Sequence, residues 1–107
     1  MQPATALDTG VAEPERADLR AEVAWLANAE AALRARDAEA ALRVLSAERQ
    51  RFERGQLRDE RRALQLIALC MLGRDVSEPL QRYLEGAADG VLVARVRNAC
   101  GVPSPGR

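Results

Sequence analysis

The two cysteines, Cys70 and Cys100, have the greatest capacity for chemistry in this chain. A nucleophilic cysteine needs a nearby cation to stabilise its thiolate. Cys70 instead lies between Leu69 and Met71 in an apolar run, which disfavours a thiolate there. Two cysteines permit at most one intramolecular disulfide and do not form a zinc site by themselves. We therefore expect no metal centre.

The remaining side chains are poorly suited to catalysis. All 16 basic residues are arginine, because the sequence contains no histidine and no lysine. This composition removes the usual general base, Schiff-base chemistry and P-loop phosphate binding, and it leaves Ser46 and Ser77 without a base to activate them. General acid–base catalysis would need a pair of glutamates in an apolar environment with a suitable partner. The sequence indicates no such pair among the candidates, which are Glu30, Glu39, Glu60, Glu78 and Glu85. The sequence predicts no catalytic residue and no cofactor.

An arginine-rich stretch in the middle of the chain could bind phosphate or nucleic acid. It contains Arg49, Arg51, Arg54, Arg58, Arg61 and Arg62. Acidic residues interrupt it: Glu48, Glu53, Asp59 and Glu60. Helical spacing puts charges of opposite sign side by side, and the formal net charge of zero provides no global field to attract a polyanion or an anionic membrane. We expect a solvated, salt-bridged face and no nucleic-acid partner.

The composition predicts an all-α domain. The 107 residues include 21 Ala and 14 Leu, which favour helices, and few β-branched residues. No apolar run approaches 18 residues, so we expect no direct membrane insertion. Proline and glycine near both ends indicate a flexible lead-in or linker over residues 1–16, a helical domain over 17–101 and a tail over 102–107.

The apolar periodicity predicts five helices joined by short loops, at about residues 18–35, 38–52, 57–72, 77–85 and 91–100. Asp18 and Ser77 are the expected N-caps, and Gly55 is expected to close the second helix. On the first helix, the expected inward stripe includes Leu19, Val23, Leu26 and Leu33. The third helix is apolar nearly all round in its second half, so we expect it to be central, with Leu69 and Leu72 buried. Leu45 of the second helix is expected to be buried as well.

Two stretches of the sequence repeat one another. The segment LANAEAALRARDAEAALRVL aligns with LQLIALCMLGRDVSEPLQRYL through its apolar steps and its R-D turn. The pair resembles two tetratricopeptide-type helical hairpins followed by a capping helix. In the first hairpin, Ala29 and Ala41 match the small residues at the helix crossing, and Trp25 matches the bulky residue beside them. Trp25 is thus expected in the core, although an exposed binding anchor is the alternative.

The sequence departs from the tetratricopeptide pattern in several places. Arg36 stands where a glycine usually precedes the turn, and Glu53 stands at the closing proline position. The second hairpin has Pro79 at its small crossing position and one extra residue in its turn. These differences leave a generic helical bundle as the alternative fold.

A longer phrase, ERRALQLIALCMLGR…LQRYL…VLVARVRNACG, resembles a small helical-repeat domain of bacterial envelope proteins, similar to the repeats of outer-membrane assembly lipoproteins. The resemblance covers about residues 18–101. It implies a right-handed stack whose groove binds a partner peptide or protein, and it favours a periplasmic or envelope location over a cytoplasmic one. The expected groove residues are Asn28, Arg34, Arg61 and Gln65. The alternatives are a homo-oligomerising structural domain and the sensor or regulatory end of a longer envelope protein.

The stacked arrangement also makes a prediction about the cysteines. Cys70 lies near the end of the third predicted helix and Cys100 at the end of the fifth, and these helices would be first members of successive repeats. They would then run side by side, with Cα atoms within the roughly 4.4–6.8 Å that a disulfide requires. Two reduced thiols packed as small hydrophobic groups are the alternative.

Overall fold

The computed structural model describes residues 13–86 and 90–103, and within these residues the fold is all-α, with no strand. Its helices are α1 (Glu13–Arg34), α2 (Ala38–Ala47), α3 (Arg58–Met71), α4 (Ser77–Gly86) and α5 (Val93–Cys100). The all-α prediction is therefore confirmed. One hydrophobic core contains buried residues from every helix.

The first helix begins earlier than predicted. Residues 13–16, which we assigned to the lead-in, form the first turn of α1, whereas residues 1–12 of that lead-in lie outside the described residues. Pro14 fits there because the N–H groups of a first turn have no helical partner. Glu13 adds a favourable charge at the helix N-terminus and pairs with Arg16 at 3.8 Å and Arg20 at 3.4 Å. Asp18 is therefore inside the helix and does not cap it.

The buried face of α1 includes Leu26 and Leu33 of the predicted stripe but not Val23. Val23 is 51% exposed, whereas the neighbouring Glu22 is only 2% exposed. Trp25, Leu26, Ala29 and Leu33 complete the buried face. The prediction was wrong for Val23, because the Glu22 carboxylate finds hydrogen-bond partners inside the fold and is buried in its place.

The turn between α1 and α2 is tight. Arg36 has a φ of +62°, in the left-handed region, and the Asp37 N–H donates to the Ala32 carbonyl at 2.9 Å. Asp37 then caps α2, because its Oδ1 accepts a hydrogen bond from the Ala40 N–H at 3.0 Å. The predicted break at Arg36-Asp37 is thus confirmed, and it makes α1 and α2 a close hairpin.

The second helix ends earlier than predicted. α2 stops at Ala47, and the chain continues through turns as far as Arg54. This irregular path brings Phe52 back onto Trp25, with ring centroids 4.9 Å apart. Gly55 is therefore not the residue that closes α2. It lies just before α3, packed against α1.

The third helix is the centre of the molecule, as predicted, because α3 packs against all four other helices. Its buried residues are Ala63, Leu64, Leu66, Ile67 and Ala68. Leu45 of α2 is buried, but Leu69 and Leu72 are only partly buried, so the prediction for those two was wrong. Both residues lie at the C-terminal end of α3, whose last residues are only partly covered by the rest of the fold.

A recognisable signal marks the start of α4 and the end of α5. Asp75, not Ser77, caps α4, because its Oδ1 accepts hydrogen bonds from both the Ser77 N–H at 3.1 Å and the Ser77 hydroxyl at 2.7 Å. The same hydrogen bonds hold the pKa of Asp75 below its ordinary value. α5 ends at Gly101, which has a φ of +71° as expected of a C-terminal glycine. The predicted tail begins at 102, and its residues 104–107 lie outside the described residues.

Candidate functional site

A concave surface lies where α1, α3 and α5 meet. We call it the α1–α3–α5 groove; its volume is about 620 Å³. It is lined by Leu33, Arg36, Ile67, Met71, Arg95, Asn98 and Ala99. Polar groups form the larger part of its accessible surface, and Met71 and Ala99 add partly exposed apolar atoms. Such a mixture suits a ligand that has both apolar and polar groups.

One carboxylate and two guanidinium groups lie beside the groove. Arg95 of α5 donates to Glu30 of α1, with 2.7 Å between Nη1 and Oε2. Arg34 approaches the same oxygen at 4.0 Å through its Nε. Glu30 is only partly exposed, so the short Arg95 interaction is screened less than a fully solvated pair. This pair connects the two outer helices of the groove.

Arg36 is a groove residue with an unusual backbone. The left-handed φ of +62° costs a residue with a Cβ about 1 kcal/mol or more relative to glycine. The Arg36 side chain nevertheless lines the groove and is exposed. The arginine at the expected glycine position therefore places a third guanidinium group, with those of Arg34 and Arg95, on this side of the molecule.

The structure does not bring the predicted groove residues together in one site. Arg61 and Gln65 line a different cleft, between α2 and α3. Arg34 lies next to Glu30, and Asn28 is exposed on α1, but neither lines that cleft. Of the four predicted groove residues, only Arg61 and Gln65 line a cleft together. The polar positions of two helices do not show by themselves how each helix is rotated about its axis.

The disulfide between Cys70 and Cys100 positions one side of the groove. The structure joins their sulfur atoms, and the Cα atoms are 5.1 Å apart. This distance lies inside the range that we expected from side-by-side helices. The bond attaches the C-terminal end of α5 to α3, so it holds Asn98 and Ala99 opposite Met71 in the groove.

Trp25 is a core residue and not an exposed anchor, since only 5% of it is accessible. Its indole Nε1 donates to the Val44 carbonyl at 2.6 Å, which satisfies the polar end of the ring inside the fold. Its face stacks on Phe52. Trp25 therefore joins α1 to both α2 and the turn that follows α2, and it is not available as a binding hot spot.

Sequence reasoning missed the role of Glu22. Its carboxylate accepts hydrogen bonds from the backbone N–H groups of Gln56 at 3.0 Å and Leu57 at 3.1 Å. These N–H groups immediately precede α3, where the helix leaves its first donors unsatisfied. The only sequence signal was a glutamate flanking the apolar stripe, together with a start of α3 that lacks a capping side chain.

Tyr83 has a pKa that is shifted by its surroundings. Burial raises the pKa of the Tyr83 phenol, and the negative charges of Asp59 and Glu60 raise it further. Tyr83 is therefore a neutral core residue at physiological pH.

Among residues 13–86 and 90–103, no cluster of three or more acidic or cysteine side chains could hold a metal ion.

Comparisons with protein-family models, with curated proteins and with solved structures give no match. No helix in the described part of the chain is long and apolar enough to span a bilayer. The candidate site is thus defined by the geometry and charge of the chain itself.

Proposed function

We propose that this protein is a non-catalytic interaction module that binds a segment of a partner protein in the α1–α3–α5 groove. The observation that carries the proposal is the convergence of three helices on one concave surface. Met71 and Ala99 are the partly exposed apolar residues of its lining, while Arg36 and Arg95 offer positive charge. The matching partner is a peptide that combines apolar and acidic side chains.

The arrangement that we propose is a right-handed, tetratricopeptide-like stack of the hairpins α1–α2 and α3–α4, followed by α5. A repeated detail supports it: α1, α3 and α5 end in the same hydrogen-bonding motif. In each, the residue after a left-handed position donates to a carbonyl five residues earlier, at Arg36, Gly73 and Gly101. These three helices are the first members of the proposed repeats, and they are also the helices that line the groove.

Selection from a random peptide library tests the proposal. We expect enrichment of peptides with acidic and apolar residues, because these complement the arginines and the apolar lining. Asn98→Glu places a negative charge in the groove and should weaken the binding of a selected peptide by about tenfold. Asn28→Glu makes the same change on α1 outside the groove lining and is the matched control. Equal affinities for both variants, or no enrichment, would refute the groove as the binding site.

Self-association through α4 is a second candidate function. Leu80 and Leu84 are only partly covered, and together with Ser77, Gln81 and Glu85 they line an open depression on this helix. A second copy could cover them. Analytical ultracentrifugation at tens of micromolar discriminates the candidates, because a monomer of 11.7 kDa would remove self-association and leave peptide binding intact.

The envelope location stays a proposal, and the disulfide supports it. A bond such as Cys70–Cys100 persists in oxidising compartments and is rare where cellular reductants act on thiols. An envelope location would make the partner a protein of the same compartment, as expected for the sensor or scaffold end of a longer protein.

A further inference from the structure

A second concave surface lies on another side of α3, in the cleft between α2 and α3. Its volume is about 250 Å³. Three arginines, a serine and a glutamine supply its polar groups: Arg49, Arg61, Arg62, Ser46 and Gln65. Leucine side chains of α2 form the rest of the lining. This cleft, which we call the arginine cleft, shares no lining residue with the α1–α3–α5 groove.

The positive charges of the arginine cleft are not neutralised by the carboxylates nearby. Within residues 13–86 and 90–103, Arg49 and Arg62 form no ion pair. Arg61 makes one long hydrogen bond, 3.4 Å from its Nη1 to the Phe52 carbonyl. The acidic residues interleaved with these arginines in the sequence therefore do not pair with them in the fold.

The arginines of the cleft also act on one another. Burial lowers the pKa of Arg61, and the positive charges of Arg49, Arg62 and Arg58 lower it further, while Glu22 acts in the opposite direction. Glu22 already accepts two backbone hydrogen bonds from the start of α3. An anion in the cleft would therefore relieve repulsion that the protein itself does not relieve.

We propose that the arginine cleft binds a phosphoryl group, either inorganic phosphate or a phosphomonoester. A phosphate dianion offers several acceptor oxygens at tetrahedral directions, and planar guanidinium groups bind such oxygens in pairs. The Ser46 hydroxyl and the Gln65 amide are further donors at the cleft. The leucine wall restricts water on one side, which strengthens each charge interaction. The single small cleft and the balanced net charge favour one phosphoryl group over an extended polyanion.

Titration of the full chain with inorganic phosphate tests the site, using backbone amide NMR shifts and sodium chloride to hold ionic strength constant. We expect saturable shifts around residues 46–49 and 61–65, with a dissociation constant on the order of 1–10 mM. Arg49→Gln and Arg62→Gln should each weaken binding by about tenfold. Arg61 is left unchanged because it also contacts the Phe52 carbonyl.

Arg74→Gln is the matched control, since Arg74 is exposed and lies beyond the opposite end of α3. Its affinity for phosphate should equal that of the unaltered chain. Shifts that never saturate, or an Arg49→Gln variant that binds phosphate as well as the control, would overturn the proposal. Because Arg49 and Arg62 are exposed and have no ion pair in the described chain, an unchanged amide spectrum without phosphate would verify that the variants are folded.

Two further probes distinguish the source of the phosphoryl group. A capped phosphoserine tripeptide that binds about tenfold more tightly than inorganic phosphate, while its serine counterpart does not bind, would identify a phosphorylated protein as the ligand. Equal affinity would identify free phosphate. A single-stranded oligothymidylate that binds more tightly than both probes would overturn the proposal in favour of nucleic-acid binding.

Discussion

The Glu22 carboxylate occupies the space that a side chain at Gly55 would need. A Cβ atom built on Gly55 would collide with the carboxylate, whose position is determined by hydrogen bonds to Gln56 and Leu57. Gly55 does not have a left-handed φ, so its lack of a side chain, not its backbone freedom, is what the site requires. This contact determines how closely the start of α3 approaches α1.

Gly55→Ala should destabilise the protein by about 1–3 kcal/mol, because the new methyl group displaces a buried carboxylate from its partners. Gly86→Ala is the control, since Gly86 has open space around its Cβ direction. Urea unfolding followed by circular dichroism gives both free energies of unfolding. Equal values for the two variants would contradict the close contact.

Glu22→Gln should cost about 1–3 kcal/mol, because an amide oxygen can accept hydrogen bonds but its NH₂ group has no acceptor in the same geometry. Glu39→Gln, an exposed change in the first turn of α2, should stay within about 0.5 kcal/mol. Chemical denaturation measures both. A Glu22→Gln variant as stable as Glu39→Gln would show that the buried carboxylate is dispensable.

Leu64→Ala should cost about 2–5 kcal/mol, because Leu64 is 3% exposed in the helix that contacts all the others. Leu69→Ala should cost less, since Leu69 is only partly buried. Arg58→Ala should remain within about ±0.5 kcal/mol, as expected of an exposed residue. Denaturant titration of the three variants should give this order, and the reverse order for the leucines would contradict the packing of α3.

Reduction of the Cys70–Cys100 disulfide should lower the free energy of unfolding by about 3 kcal/mol, because the bond closes a loop of 30 residues. Cys100→Ser should reproduce the loss without reductant. Thiol counting on the denatured, non-reduced protein should find no free cysteine. Two free thiols would instead support the alternative of reduced, packed side chains.

Arg36→Gly should stabilise the protein by about 0.5–1 kcal/mol, because glycine adopts a positive φ without strain. Gly73→Ala gives the reciprocal test, since Gly73 has a φ of +74° at the equivalent end of α3. This variant should lower the stability of the protein by a similar amount. Thermal melts of both variants check the signs. In the peptide-binding assay, Arg36→Gly should weaken the binding of an acidic peptide although the protein is more stable, because the groove loses a guanidinium group.

The sequence by itself determined the helical class and several local signals. Alanine and leucine content predicted helices, and Gly73 and Gly101 ended α3 and α5 as glycines with positive φ do. The match of Trp25 to the bulky residue beside the helix crossing predicted a core residue. These features were predictable because each depends on residues within a few positions along the chain.

Only the tertiary structure decided which faces of the helices meet. Adjacent residues of a helix point about 100° apart, so the exchange of Val23 for Glu22 on the buried face depends on one step along the sequence. Glu22 is the residue that is buried because the backbone N–H groups of Gln56 and Leu57, 34 and 35 positions further along the chain, donate hydrogen bonds to its carboxylate. Arg61 likewise lies beside Arg49 in the arginine cleft, which Arg34 does not line. Local periodicity contains no information about such distant partners, because it records only that a helix has an apolar face.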